Sequence, residues 1–405
     1  MTKTHPSFVL LLALICVSCV DGGSQRGIWT GTVRDSAGIR IVENPEFGLW
    51  TPETAWRLEE DLRIGVVEGD ANLQFGEITG IDVFSDGRIV VRDRLAEHQL
   101  RVFSNEGGFL YEFGSTGSGP GELGRGLAVP QVGFGDTLFV PDIGRQRICV
   151  YTADGTHVAS VRTAIPASEG TPLWDVTSQG TLVAQLSTKP MPNNQEETLT
   201  DFLVGFDLDG GIDSLFSFPS AAILKTLPSG LPRVTLFSPE PAWAFGDDGI
   251  LWYGPGEPYR VHVYENGELA SIVSKTGATT EITQADRDVV IGAWEQIFGD
   301  AFRDMATFAE VLPAYQRFLR GPENTLWVQL IEPPGNLTEE EVEDFDPEGG
   351  YGGDTWDVFD SEGRFLGSVI MPPSFEPFRF SGGALYGIWQ DEMEVDFVKR
   401  LRLVN

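Results

Sequence analysis

Cysteine and histidine are scarce in this 405-residue chain, and methionine is nearly as rare. The three cysteines are Cys16, Cys19 and Cys149. Two of them fall in the N-terminal leader, so the remaining body has one thiol and no internal disulfide is possible. Cys149 reads as an inert strand residue rather than a nucleophile. Of four histidines, His5 lies in the leader and only His98, His157 and His262 follow. That supply argues against a multi-histidine metal site. A serine hydrolase would need one of them beside a serine and an acid, and the chain has no Gly-x-Ser-x-Gly elbow. Basic residues are also few, 28 against 60 acids, for a net charge of −32. A chain this acidic repels phosphate backbones and anionic head groups, which excludes nucleic acid as an expected partner.

Long apolar runs are missing except at the start. Lys3 precedes the apolar segment from Phe8 to Val17, and Ser18 precedes Cys19. Ten apolar residues cannot span a bilayer, which takes about 20, so residues 1–18 read as a signal peptide. Cys16-Val17-Ser18-Cys19 resembles a bacterial lipoprotein box, with Cys16 where leucine is usual. It predicts lipidation of Cys19, a tether over 19–37 and a body over 38–405. The expected location is the bacterial cell envelope, lipid-anchored and facing the periplasm or the exterior.

Glycine is abundant, at 48 residues, as suits a chain of many tight turns. A turn followed by a short apolar strand recurs six times: Asp86-Gly87 before Ile89, Gly135-Asp136 before Leu138, and Gln179-Gly180 before Leu182. It returns at Asp248-Gly249 before Ile250, Glu323-Asn324 before Leu326, and Gly382-Gly383 before Ala384. A second hairpin follows in five units, turning at Glu106-Gly107, Asp154-Gly155, Asp209-Gly210, Asn266-Gly267 and Glu362-Gly363. Repeating four-strand units predict an all-β, six-bladed β-propeller of four-stranded antiparallel blades. The sixth unit is one strand short, and Leu62 to Val67 is expected to complete it, closing the ring with both chain ends. Ile39 to Glu43 reads as a further strand without an assigned place.

Two insertions break the pattern. Residues 283–312 space Val289, Ile291, Trp294, Ile297, Phe298, Phe302 and Met305 as on helices, with Thr283 and Asp286 marking a start. One or two helices over a face of the ring, between blades 4 and 5, are expected. Glu332 to Tyr351 is acidic and rich in glycine and proline, and reads as a solvated loop.

The loop Gly117-Ser118-Gly119-Pro120-Gly121-Glu122-Leu123, followed by Asp142 and Arg147-Ile148-Cys149-Val150-Tyr151, resembles the NHL-repeat class of propellers. It looks most like bacterial envelope proteins described as six-bladed β-propellers, many of them predicted lipoproteins. The resemblance covers about residues 38–405. It implies a fold and a compartment, and no reaction.

Candidate chemistry is thin. The loop 117–121 lacks a following helix, so it reads as an inter-blade connection rather than a phosphate cradle. Asp207-Leu208-Asp209-Gly210 sits where the other units have plain hairpin turns, and Glu339 to Asp346 lacks calcium-loop spacing. No cofactor is expected, calcium being the one metal left open. His262 aligns with Arg101, Cys149, Val204 and Asp357, a tolerant position read as surface-facing. Asp82 and Asp175 occupy equivalent places on inner strands, with Arg317 and Arg379 on the corresponding strands of units five and six. These four are the candidate channel-mouth residues, either holding a small polar ligand or ion-paired in a structural role. Trp174, Trp243 and Tyr315, which follow Pro172, Pro241 and Pro313, read as packing between blades. The expected function is a binding or scaffolding module with an envelope protein or glycan as partner. The alternative is a calcium-dependent lactonase or lyase, which needs several acids and an asparagine converging on one ion.

Overall fold

The computed structural model describes residues 27–126, 129–163, 174–177, 179–187, 197–206, 211–226, 232–277 and 279–405. The signal peptide, Cys19, Pro172 and the segment 207–210 lie outside these residues.

Six mainly antiparallel sheets form a ring, each beginning with a strand at the central channel. Four of them are four-stranded and two are extended to six strands through a parallel pair. The inner strands are β1 (Ile78–Val83), β2 (Gln131–Val132), β3 (Trp174–Val176), β4 (Ala242–Phe245), β5 (Tyr315–Arg320) and β6 (Phe375–Ser381). Each neighbours the next, and β6 neighbours β1, so the ring is closed. The architecture is a six-bladed β-propeller.

The turns that revealed the repeat have a simple cause. After each inner strand the chain reverses through residues in the left-handed region, among them Gly87, Gly180, Gly249 and the pair Gly382-Gly383. Asp136, Asp248 and the pair Glu323-Asn324 also adopt positive φ without being glycine. The second hairpins share another device. A register shift stands between Val102 and Phe103, Val150 and Tyr151, Val263 and Tyr264, and Val358 and Phe359, just before each turn. Such bulges increase local twist and bend the strand.

One apolar core lies at each of the six blade boundaries. Alternation feeds two cores from one strand: Ile89 and Val91 face blade 6, while Val90 between them faces blade 2. That is why blade strands read as unbroken apolar runs. It also corrects the reading of the position shared by Arg101, Cys149, Val204, His262 and Asp357. Cys149 and Asp357 are fully buried, Arg101 and Val204 nearly so, and His262 half-buried. The third strand of a blade is covered on both faces by its neighbours, so the site is an interface and not a surface.

The N-terminal segment straps the outside of the ring. Residues 32–36, expected as tether, form a strand paired with Ile39–Asn44, which runs parallel to the outer strand Glu268–Lys275 of blade 4. The sequence held no sign of the first of these, because all five residues are exposed and bury no apolar side chain. Leu49 and Trp50 then hydrogen-bond to Phe365 and Leu366 of blade 5. Arg57–Ile64 completes blade 6 by pairing with the last strand, Asp396–Val404. This closing strand begins and ends earlier than the expected 62–67, since Gly65 and the residues after it turn toward blade 1.

Asn44 fastens the strap. Its Oδ1 accepts from Trp29 Nε1 at 2.9 Å and from the Phe365 amide at 2.7 Å. Its Nδ2 donates to the Ser274 carbonyl at 3.1 Å and the Gly363 carbonyl at 2.9 Å.

Between blades 4 and 5 lies helix α1 (Gln284–Phe298), opened by a Thr283–Asp286 capping box, then α2 (Phe302–Met305). They pack into a seventh core with Leu236, Phe237 and Leu312. The acidic stretch 332–351, expected as a solvated loop, joins the same core through Phe345 and Tyr351 and carries the short helix Glu339–Glu343. Its charges face solvent while its two aromatics do not.

Candidate functional site

The central channel holds a cavity of about 810 Å³ lined by all six inner strands. Cross-strand register aligns the lining. Asp82 stands opposite Val90, Gln131 opposite Phe139, Asp175 opposite Val183, Ala244 opposite Trp252 and Leu319 opposite Trp327. Blades 1, 2 and 3 therefore present Asp82, Gln131 and Asp175 at one level, where blades 4 and 5 present apolar side chains.

The two aspartates have the same local job. Asp82 Oδ1 accepts from the Val83 amide at 2.7 Å and Oδ2 from the Val132 amide of blade 2 at 2.6 Å. Asp175 accepts from the Val176 amide at 2.7 Å and the Phe245 amide of blade 4 at 3.2 Å. Inner strands are sheet edges, so these amides lack ladder partners and the carboxylates supply them.

Arg379 joins them. Its Nε is 3.3 Å from Asp82 Oδ1, and its guanidinium reaches Asp175 Oδ1, on the opposite side of the ring, at 4.0 Å. Burial raises both aspartate carboxyls above their ordinary value, opposed by Arg379 and then by the backbone amides. The nearby Asp82 carboxylate holds the Arg379 guanidinium charged.

Of the four candidates from the sequence, three thus meet. The fourth, Arg317, lines the same cavity but bonds other partners. It donates to the Pro377 carbonyl at 3.1 Å, approaches Glu376 at 3.6 Å, and lies 5.4 Å from the Trp356 ring centroid. Gln131 is the cavity residue that sequence reasoning missed. The signal was available: Gln131 precedes the second turn by the same interval as Asp82 and Asp175 precede theirs.

Of the aromatics, Tyr315 is buried with its hydroxyl on the Arg260 carbonyl at 2.7 Å, and Trp243 bonds Gln185 at 2.7 Å. Trp174 lines the cavity beside Asp175.

The glycine loop is a structural joint. Fully buried Arg92 donates to the Gly124 and Gly126 carbonyls at 2.9 and 2.8 Å, and Arg147 to those of Ser118, Gly119 and Glu122. The loop turns carbonyls toward arginines, the opposite polarity to a phosphate cradle. Burial pushes the Arg92 guanidinium down to about 10, with Asp142 opposing.

Cys149 is buried and its thiol pushed up by desolvation, so no reactive thiolate is formed there. His157 Nε2 lies 3.0 Å from Ser160 Oγ on the outer strand of blade 2, with no acid on the ring among the described residues. Among the described residues no group of three histidine, cysteine, aspartate or glutamate side chains is placed to share a metal. No helix of the described residues is long and apolar enough to cross a membrane.

Comparison with known proteins agrees with the ring. A family model described as 6-bladed beta-propeller matches residues 68–164. The structure of an exported protein from Bacteroides fragilis is 13% identical, with TM-score 0.52 over 90% of this chain and 100% of its own. A Bacteroides vulgatus protein is 10% identical, with TM-score 0.57 over 87% and 99%. Virginiamycin B lyase from Staphylococcus aureus is 14% identical over 86% and 100%, with TM-score 0.44. No curated protein matches the chain. Six sheets close around one channel, and the family match spans blades 1 and 2, so the chain has the six-bladed β-propeller fold.

Proposed function

We propose that this protein is an exported, lipid-anchored binding module of the bacterial cell envelope, which takes a small polar ligand in its central channel. The observation that carries the reading is the cavity of about 810 Å³ onto which every blade opens. Pockets for small ligands run from about 300 to 1,000 Å³, and this one falls in that range with polar and apolar side chains mixed along its wall. The N-terminal Lys3, the Phe8–Val17 run and Cys19 support export and acylation. The structural likeness to an exported Bacteroides protein is compatible with that address. An envelope protein or glycan is the expected partner.

The calcium-dependent lactonase or lyase is the weaker reading. It asks for free oxygen ligands on inner strands, whereas Asp82 and Asp175 are taken up by amides and Arg379. Radioactive palmitate labelling of cells expressing the full chain tests the anchor. Label in the wild type that disappears in Cys19→Ser supports it, and a wild type without label removes it. Calorimetric titration of calcium into the full chain tests the alternative. One saturable site, lost in Asp82→Ala, would reverse the order of the two readings.

A further inference from the structure

Gln131 is 8% exposed, lines the channel cavity, and its amide has no hydrogen-bond partner among the described residues. Its amide therefore opens on the cavity, where a group that fills the cavity can bond it. Unlike Asp82 and Asp175 at the same level, Gln131 caps no neighbouring strand. It therefore performs no evident structural work.

Its surroundings restrict what can meet it. Asp82 and Asp175 flank it from blades 1 and 3, and an anion entering at this level meets both carboxylates. Arg379 reaches toward both carboxylates, and a cation meets its guanidinium. Charge of either sign is opposed by a like charge in a site of reduced dielectric. Arg379 makes ion-pair contacts only, with no hydrogen bond of its guanidinium among the described residues, and its side chain is 34% exposed to the channel. Arg379 can thus donate, and Gln131 can both donate and accept. Trp174 and Phe378 add aromatic wall.

From this juxtaposition we propose that the channel binds a neutral, hydroxyl-rich molecule of mono- or disaccharide size. Gln131 hydrogen-bonds its hydroxyls through both amide atoms, Arg379 donates to an oxygen, and the aromatic wall covers its less polar face. The cavity volume admits one or two sugar rings. The proposal rests on the binding-module reading and supplies its ligand class.

The test is calorimetric titration of the full chain with glucose, N-acetylglucosamine, maltose and cellobiose, and with spermidine and citrate as charged counterparts. Saturable binding of a neutral sugar, weakened tenfold or more in Gln131→Leu without a change in melting temperature, supports the proposal. Gln131→Asn withdraws the amide by one methylene and serves as a second variant if the leucine form fails to fold; the same weakening is expected. Sugar binding indifferent to both variants overturns the role of Gln131. Binding of spermidine or citrate alone overturns the neutral class and leaves the module reading standing. Binding of none of the six overturns the proposal and the channel-ligand reading together.

Discussion

Asp82 and Val132 belong to different blades, yet the Asp82 carboxylate accepts the Val132 amide hydrogen at 2.6 Å. Asp175 repeats the relationship with Phe245 between blades 3 and 4. Each pairing closes an open sheet edge inside the channel and ties two blades at their narrowest point.

Asp82→Ala leaves the Val132 amide without an acceptor and Arg379 with only the distant Asp175. Because Arg379 is partly exposed, the expected loss is about 2 kcal/mol rather than the full penalty of a buried broken pair. Urea unfolding measures it. Asp82→Asn, whose amide oxygen can still accept, should lose less.

Asn44→Ala removes four hydrogen bonds, one within the strap and three joining it to blades 4 and 5. An expected cost of about 3 kcal/mol follows from roughly 1 kcal/mol for each bond. Calorimetric melting checks it, and an unchanged midpoint would show that the strap does not contribute to global stability.

Arg92→Met should loosen the glycine loop before the ring. Amide exchange at Gly117, Glu122 and Leu123, which are bonded within or beside that loop, is expected to accelerate. Amides of the strand Ile250–Gly254 in blade 4 should exchange as in the wild type.

His262 makes stability depend on pH. Burial, and then the Arg260 charge, lower its pKa below the ordinary 6.5. Below pH 6.5 the unfolded chain takes up a proton that the folded chain refuses, so this group makes stability fall as pH drops from 6.5 through the folded value. The dependence should flatten in His262→Gln, as read from melting temperatures between pH 5 and 8.

Much of the ring was legible because its signals are local. A positive-φ turn needs glycine, asparagine or aspartate wherever it occurs, and a strand covered on both faces needs an apolar run, so both leave marks at fixed intervals. The strap was less legible. Thr32–Ser36 is wholly exposed, and Arg57–Ile64 has three acids in a row at 59–61 that break the alternation of a strand. The buried polar position on the third strands misled for a related reason. Arg101, Cys149, His262 and Asp357 have nothing in common as residue types, yet each finds its own partners inside an interface: Asp357 bonds Tyr259, Lys275 and Ser368.

Composition and spacing alone determined the six-fold repeat and the acidic charge, since each depends on residues near one another or on totals. Which side chains meet in the channel was decided by ring closure. Asp82, Asp175 and Arg379 are separated by most of the chain, and they converge because β1, β3 and β6 are brought around one axis. Gln131 differs from many other glutamines only in where that closure leaves it: on the channel wall at the level of two carboxylates, with no partner among the described residues.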